Sequence, residues 1–132
     1  LSDNPATWSF IFNYKSQVCT PSENGLLSNS VFGAELIANN SENDFALLAL
    51  NTTPPENFNV YYSGWTRDIE NIDNATGIHH PLGDVMKISR DFDPPALSGY
   101  LGTSGDGYWR VIDWDEGTTE SGSSGSALFS NN

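Results

Sequence analysis

The apolar residues of this chain recur mostly at every second position, and no stretch has the 3.6-residue period of an amphipathic helix. Alternation is clearest in residues 8–14 and 32–38, which predicts two half-buried β-strands. The six residues Phe45–Leu50 are all apolar, as is typical of a strand buried on both faces. Five further short apolar segments complete the set of eight predicted strands: residues 60–65, 84–89, 96–101, 109–114 and 126–129.

Turn-forming residues separate the predicted strands, among them Asn24-Gly25, Pro54-Pro55 and Pro94-Pro95. Eight short strands at this spacing predict an all-β sandwich or barrel. No internal repeat, linker or low-complexity block interrupts them, so we predict a single region, residues 1–132, with no domain boundary inside it. The first strand begins near one end of the chain and the last stops near the other. We therefore expect the chain to begin and end within a β-structure.

The charge of the chain narrows the range of possible partners. Among its 132 residues are 17 acidic and 5 basic side chains, which give a net charge of -12. Nucleic acids and anionic membrane surfaces are bound through Lys and Arg, so we expect neither as a partner. The longest apolar run is too short to span a bilayer, and no basic segment followed by an apolar stretch opens the chain, so we expect no signal peptide in it.

The clearest chemical signal is the run Gly-Ser-Ser-Gly-Ser at residues 122–126. A nucleophilic serine whose own loop forms an oxyanion hole needs small, conformationally free neighbours. Gly122 can turn its N–H group inward, the N–H group of Ser124 lies beside it, and Gly125 lets the chain turn away from a substrate. The alternative is a flexible Ser/Gly loop without chemistry, which the strand patterns on both sides disfavour.

Asp44 stands directly before the apolar run Phe45–Leu50. We expect an acidic residue in this position to be buried or half-buried, and a buried carboxylate needs a partner. Asp44 is therefore a second candidate for a catalytic role. The alternative is a turn residue that follows Asn43 and caps the loop before the strand, and the local sequence does not separate the two.

Several motifs occur in a fixed order along the chain: Asp-Phe-x-Leu-Leu-x-Leu-Asn at 44–51, Ser-Gly-Trp at 63–65, Gly-Ile-His-His-Pro at 77–81, Lys-Ile-Ser at 87–89, Trp114, and Gly-x-Thr-Glu-x-Gly-Ser-Ser-Gly-Ser at 117–126. Over residues 8–129 this series resembles the lysyl-endopeptidase-like bacterial serine proteases of the trypsin/chymotrypsin superfamily. The Ile-His-His-Pro and Thr-Glu-x-Gly-Ser-Ser-Gly-Ser motifs are specific to that branch, whereas an isolated Gly-x-Ser-Gly is not.

The resemblance implies a secreted or periplasmic serine endopeptidase, with Lys or Arg expected before the cleaved bond. It implies Ser124 as the nucleophile and Asp44 as the acid that holds the catalytic imidazole in the correct tautomer. It also implies an oxyanion hole formed by the N–H groups of Gly122 and Ser124. Thr118 and Thr119 correspond to one wall of the primary specificity pocket. The implied partner is a peptide or protein substrate, and no metal or cofactor is implied.

The resemblance leaves the catalytic histidine unaccounted for. Family members carry it before the aspartate, whereas the two histidines of this chain, His79 and His80, come after Asp44. A role for this pair as general base or metal ligands is an alternative, but adjacent residues of a strand point to opposite faces, which favours a structural role. Ser123 stands where many animal relatives have an Asp that pairs with a new N-terminus, which argues against activation by that ion pair.

The implied fold is the trypsin-like double β-barrel, present only in part: the end of the first barrel and most of the second. The strand with the catalytic histidine would lie outside the chain, so we expect the chain alone to be inactive towards peptides. In the same way, the disulfide partner of Cys19 would lie upstream. We expect the missing remainder of the protease domain, or a second copy exchanging strands, to cover the exposed strand edges.

Two other functions remain open at this point. One is a protease-like domain without catalytic activity that binds a peptide or a protein. The other is an extracellular β-sandwich binding module for carbohydrate or adhesion, for which an exposed platform of Trp8, Trp65 or Trp109 would be the sign. The ordered series of motifs over most of the chain favours the protease.

Overall fold

The structure is a computed structural model that describes residues 4–19, 24–67 and 72–130. The chain divides into two compact units, Leu1–Gly64 and Trp65–Asn132, and each is described by itself. The strand pattern of the sequence predicts no boundary inside the chain. The division lies within residues 59–67, a segment without regular secondary structure.

The described part of the first unit contains four strands: β1 (Ser9–Ile11), β2 (Ser30–Phe32), β3 (Ala34–Asn40) and β4 (Phe45–Leu50). They form two antiparallel pairs, β1 with β2 and β3 with β4. Two 3-10 helices, Pro5–Thr7 and Glu56–Phe58, accompany them. The first begins with a proline, whose fixed φ suits a helix start, and Asn4 caps it by accepting a hydrogen bond from Ala6 N at 3.1 Å.

Gly33 divides the predicted strand of residues 32–38 into β2 and β3. Its φ is +79°, a left-handed value that glycine adopts without a steric penalty. Its N–H group donates to Trp8 O at 2.8 Å, and its carbonyl oxygen accepts from Asn51 N at 3.0 Å. Gly33 therefore links the two strand pairs of this unit.

The prediction that Phe45–Leu50 is buried on both faces is wrong. β4 pairs with β3 alone, and Phe45 and Leu47 keep 50% and 56% of their surface exposed. Among the described residues of this unit, the buried apolar side chains are those of Pro5, Val31 and Ala34. A two-stranded sheet has no layer over its second face, so an unbroken apolar run does not produce a buried strand here.

The described part of the second unit contains five strands: β5 (Ala75–His79), β6 (Lys87–Asp91), β7 (Ala96–Ser98), β8 (Tyr108–Arg110) and β9 (Leu128–Phe129). β5 is the central strand of an antiparallel sheet in the order β6-β5-β9, and β7 pairs with β8. Two 3-10 helices span Pro81–Gly83 and Tyr100–Gly102. β5 and the helix that follows it become important below, because they position the candidate site.

One face of the β6-β5-β9 sheet is covered by a small and partly polar core. Ala75 and His79 on β5 are 1% and 2% exposed, and Ser89 and Asp91 on β6 are buried as well. Val85, from the loop before β6, adds an apolar side chain to the buried set. Polar groups in such a core must be hydrogen-bonded, since an unpaired buried donor or acceptor is costly.

Both units consist of strands and short 3-10 helices, which confirms the predicted all-β class. In the described residues the strands form four small sheets, none of them closed into a barrel, as is compatible with a partial β-rich protease domain. None of the helices in these residues is long and apolar enough to cross a membrane.

Some predicted strands differ in extent from those observed. Residues 60–65 form no strand, and Tyr61 and Trp65 are 86% and 85% exposed. β1 ends at Ile11, because Asn13 has a φ of +55°, which an extended strand does not allow. The four strands predicted after residue 80 are present in altered or shortened form. Periodicity locates these strands, but their lengths depend on the partners that pair with them.

Candidate functional site

Residues 120–126 form two β-turns in series, which we call the double turn. Ser123 N donates to Glu120 O at 3.0 Å, and Ser126 N donates to Ser123 O at 3.2 Å. The third position of each turn is a glycine with positive φ, +90° at Gly122 and +83° at Gly125. A positive φ at this position is typical of type II turns, which favour glycine there. The Gly-Ser-Ser-Gly-Ser run is therefore folded into two turns that backbone hydrogen bonds close.

The two central serines of the double turn have different environments. Ser124 is the second residue of the second turn and is exposed. Ser123 is half-buried, and its Oγ lies 2.8 Å from His79 Nδ1. The double turn thus leaves the predicted nucleophile accessible to a ligand while its neighbour is held against the sheet.

His79, at the end of β5, is 2% exposed and lies between two serine hydroxyls. Its Nδ1 is 2.8 Å from Ser123 Oγ, and its Nε2 is 3.0 Å from Ser89 Oγ. The Ser89 hydroxyl donates to Thr118 O at 2.9 Å. The imidazole therefore joins β6 to the double turn, and both of its nitrogens have a partner although the ring is buried.

Close backbone contacts hold the double turn against the 3-10 helix Pro81–Gly83. Leu82 N donates to Ser121 O at 2.7 Å. A Cβ atom at Gly122 would lie 3.1 Å from Leu82 N and 3.3 Å from His80 O. This approach, together with the φ of +90°, requires glycine at this position.

The segment before the double turn is aligned along β6. Arg90 and Glu116 exchange two backbone hydrogen bonds, of 2.9 and 3.0 Å, and their side chains form an ion pair at 3.2 Å. Gly117 has a φ of +78°, and a Cβ atom there would lie 2.7 Å from Ser89 Oγ. The chain therefore passes close over Ser89 before it enters the double turn.

Thr118 and Thr119, predicted to form one wall of the specificity pocket, follow this close approach. Both residues are exposed. Thr118 O accepts the hydrogen bond from Ser89, which fixes the backbone at this point. Exposed side chains on a fixed backbone are suited to contact a ligand, and the role of the two threonines stays a prediction.

Asp44 lies in the first unit, whereas Ser124 lies in the second. The expectation that Asp44 is at least half-buried is wrong: it is exposed, and it ends the turn between β3 and β4 with a φ of +50°. Asn40 fixes that turn, because its Oδ1 accepts hydrogen bonds from Glu42 N and Asn43 N at 2.8 and 3.0 Å. The local structure is that of a turn residue, and a role of Asp44 towards an imidazole stays a prediction.

The neighbouring histidines have different partners, since His80 Nδ1 lies 3.0 Å from Asp84 O. The Asp84 carboxylate accepts a hydrogen bond from Lys87 Nζ at 3.0 Å and one from Val85 N at 2.7 Å. These two bonds, the Lys87 bond more than the other, lower the pKa of Asp84 below its ordinary value. Within the described ranges, no group of three or more His, Cys, Asp and Glu side chains is placed to hold a metal ion.

His79 and Ser89 are parts of this site that the sequence motifs do not reveal. A signal was present in β5, where Ala75, Gly77 and His79 alternate with larger or polar residues and thus share one face. Small residues beside an imidazole indicate a covered face. The partner of the ring was not predictable, because Ser123 is 44 positions away and approaches it only through the fold of the double turn.

The chain is similar to known proteins over nearly its whole length. The sequence profile of the family described as lysyl endopeptidase, C-terminal domain, matches residues 2–132. A lysyl endopeptidase of Pseudomonas aeruginosa is 35% identical over 100 residues, which cover 74% of this chain. The match covers 20% of that protein, so the chain spans about a fifth of the relative's length.

Proposed function

Because this chain belongs to the family described as lysyl endopeptidase, C-terminal domain, we propose that it is part of a serine endopeptidase whose nucleophile is Ser124. The N–H groups of Gly122 and Ser124 form the oxyanion hole. Asp44 orients a catalytic histidine that a part of the protein outside this chain supplies. Thr118 and Thr119 line one side of the pocket for the residue before the cleaved bond.

The proposed reaction is the two-step acyl transfer of serine proteases. The Oγ atom of Ser124 attacks the peptide carbonyl carbon while the histidine takes the hydroxyl proton. The carbonyl oxygen becomes an oxyanion and accepts hydrogen bonds from the two N–H groups of the double turn. The C–N bond then breaks, and the histidine passes the proton to the leaving amine. A water molecule hydrolyses the resulting ester by the same sequence of proton transfers.

The observation that supports this proposal most strongly is the geometry of the double turn. Ser124 is exposed, and glycines with positive φ stand two positions before it and one position after it. The first of these, Gly122, is fixed by backbone contacts with the helix Pro81–Gly83. A nucleophile flanked in this way has a preorganised backbone beside it and open space in front of it.

The proposal extends to substrate and location. The relative is named a lysyl endopeptidase, so we propose cleavage on the carboxyl side of lysine. The net charge of -12 supports this assignment, because an acidic protein attracts cationic peptides. We propose that the protein acts outside the cytoplasm, as a secreted or periplasmic enzyme.

Peptide mapping of the full-length protein and its Ser124→Ala variant tests the proposed function. We expect the unmodified protein to cleave peptides after lysine, and the variant to lose about five to six orders of magnitude in kcat. Ser104→Ala is the control, because Ser104 is exposed and lies outside the double turn. A Ser124→Ala variant that retains the activity of the unmodified protein would refute the proposed nucleophile. Cleavage without preference for a basic residue would refute the substrate assignment.

A further inference from the structure

His79 is a buried ionisable side chain that the proposed mechanism does not use. We infer that it is a positioning residue: it holds the Ser123 hydroxyl and thereby fixes the double turn in the geometry that the oxyanion hole requires. This inference rests on the proposed role of Ser124. It concerns how the site is held in place, whereas the reaction itself is carried by other residues.

The hydrogen bonds around His79 have a defined direction, because the group at one end can only accept. Thr118 O is a carbonyl oxygen and accepts the Ser89 hydroxyl proton. The Ser89 oxygen then accepts from His79 Nε2, which must carry a proton. In a neutral imidazole with its proton on Nε2, Nδ1 is an acceptor, and the Ser123 hydroxyl donates to it at 2.8 Å.

The other end of this chain of hydrogen bonds lies inside the double turn. Glu120 N donates to Ser123 Oγ at 3.3 Å, so the Ser123 hydroxyl accepts within the turn and donates to the imidazole. With a neutral imidazole, this proton arrangement satisfies every group from Glu120 to Thr118. Rotating the hydroxyl away from His79 would leave a buried nitrogen without a partner, which disfavours other positions of the loop.

A single contact at Ser123 can hold both turns in place, because the two turns share this residue. It is the last residue of the first turn and the first residue of the second. The N–H group of Gly122 lies on one side of it and that of Ser124 on the other. A link from Ser123 to the buried His79 therefore sets the direction of both proposed oxyanion donors at once.

The test compares His79→Phe, Ser123→Ala and the double variant in the full-length protein. His79→Phe keeps a buried ring but removes both nitrogens, and Ser123→Ala removes the hydroxyl at the other end of the same link. Oxyanion contacts act in the transition state, so we expect kcat per folded molecule to fall by about tenfold to a hundredfold in each variant. We expect KM to change by less than about twofold. The double variant should be no slower than the slower single variant, because both changes break one link.

Ser98→Ala is the matched control, since Ser98 is a half-buried serine whose hydroxyl donates to Gly99 O, away from the double turn. It should keep the unmodified kcat. Circular dichroism gives the folded fraction of each variant, so that a loss of folded protein is not counted as a loss of kcat. If His79→Phe does not fold, Ser123→Ala and the spectroscopic measurement below still decide the question.

Nitrogen-15 NMR of the imidazole at neutral pH provides a readout independent of activity. We expect the His79 ring to carry a proton on Nε2, with an Nδ1 resonance that shifts in Ser123→Ala. The opposite tautomer, or an unchanged resonance, would overturn the inference. Full kcat in Ser123→Ala together with an inactive Ser124→Ala would also overturn the inference. The proposed nucleophile would then react at full rate without the hydrogen bond between Ser123 and His79. If Ser124→Ala remains active, the proposed function itself fails.

Discussion

At the scale of single residues, the candidate site depends on where the backbone must turn. Gly122 and Gly125 have φ values of +90° and +83°, and each completes a turn that other residues adopt only with strain. The serines between them need no special conformation and differ through their surroundings. Ser123 contacts a buried imidazole, and Ser124 is exposed. Two residues of one type thus acquire different proposed roles from one backbone arrangement.

The substitution Gly122→Ala tests the importance of this backbone. Alanine with positive φ costs about 1–2 kcal/mol, and its Cβ atom would lie 3.1 Å from Leu82 N. We expect a lower Tm and a kcat reduced by about tenfold or more, because the first oxyanion donor moves. Gly107→Ala is the control, since no heavy atom lies within 4 Å of a Cβ atom there. Equal effects of the two substitutions would show that the backbone of the double turn is not special.

The Asp84–Lys87 pair gives a prediction for pH dependence. The hydrogen bond from Lys87, followed by that from Val85, lowers the pKa of Asp84 below the ordinary 3.8. Because the folded-state pKa is the lower one, the stabilisation is present above the unfolded-state pKa and disappears as the pH decreases through the folded-state value. Carboxyl titration by NMR should give a pKa below 3.8 for Asp84, and Lys87→Met should raise it. An unchanged pKa in Lys87→Met would contradict the assigned cause.

At the scale of the elements, the β6-β5-β9 sheet supports the double turn. Before the double turn, Glu116 pairs with Arg90 on β6. After it, Leu128 pairs with Gly77 on β5. The chain between these two pairings is therefore anchored to the same sheet at both ends, and His79 attaches its middle. Short segments held at three points have little freedom, which is what a preorganised site needs.

Gly77, in the centre of β5, is a position where the packing of the β6-β5-β9 sheet can be tested. A Cβ atom there would lie 3.2 Å from Trp114 Cη2, so Gly77→Val forces the indole ring to move. We expect a loss of about 1–3 kcal/mol in the free energy of unfolding, more than a valine gains from its strand preference. The Trp114→Leu substitution should recover part of the loss, because it removes the ring. An unfolding free energy equal to that of a Gly107→Val control would contradict this account.

How far the sequence predicts these elements depends on where their partners lie. Alternation located β1 and the strands after residue 80. Periodicity did not predict that Phe45–Leu50 is largely exposed or that residues 60–65 form no strand, because burial depends on which layer covers a strand. In the candidate site, the Gly-Ser-Ser-Gly-Ser run was recognisable from the local sequence. The contact of Ser123 with His79 was not, since it arises from the packing of distant segments.

At the scale of the whole molecule, the proposed catalytic groups are distributed over separate parts. Asp44 lies in the first compact unit, Ser124 in the second, and the proposed histidine outside this chain. Cys19 has a free, exposed thiol in this structure, and its predicted partner upstream stays a prediction. The chain spans about a fifth of its relative. We therefore propose that the activity belongs to a longer protein that includes this chain.

The 132-residue chain produced alone should therefore cleave no peptide. Without a histidine to accept the serine proton, the proposed mechanism loses most of its acceleration, and at most about 10³–10⁴-fold over water would remain. A sensitive fluorogenic lysine substrate measures this, with the full-length protein as the positive control. Hydrolysis by the isolated chain that disappears in Ser124→Ala would show that the base lies within these residues.

Fluorophosphonate labelling of the full-length protein, followed by peptide mapping, shows whether Ser124 is an activated nucleophile. These reagents react with a serine only when a neighbouring base and an oxyanion hole activate it. We expect one phosphonyl group on Ser124 and none in the Ser124→Ala variant. A well-folded protein that does not react, or that reacts at a different serine, would show that Ser124 is not the nucleophile.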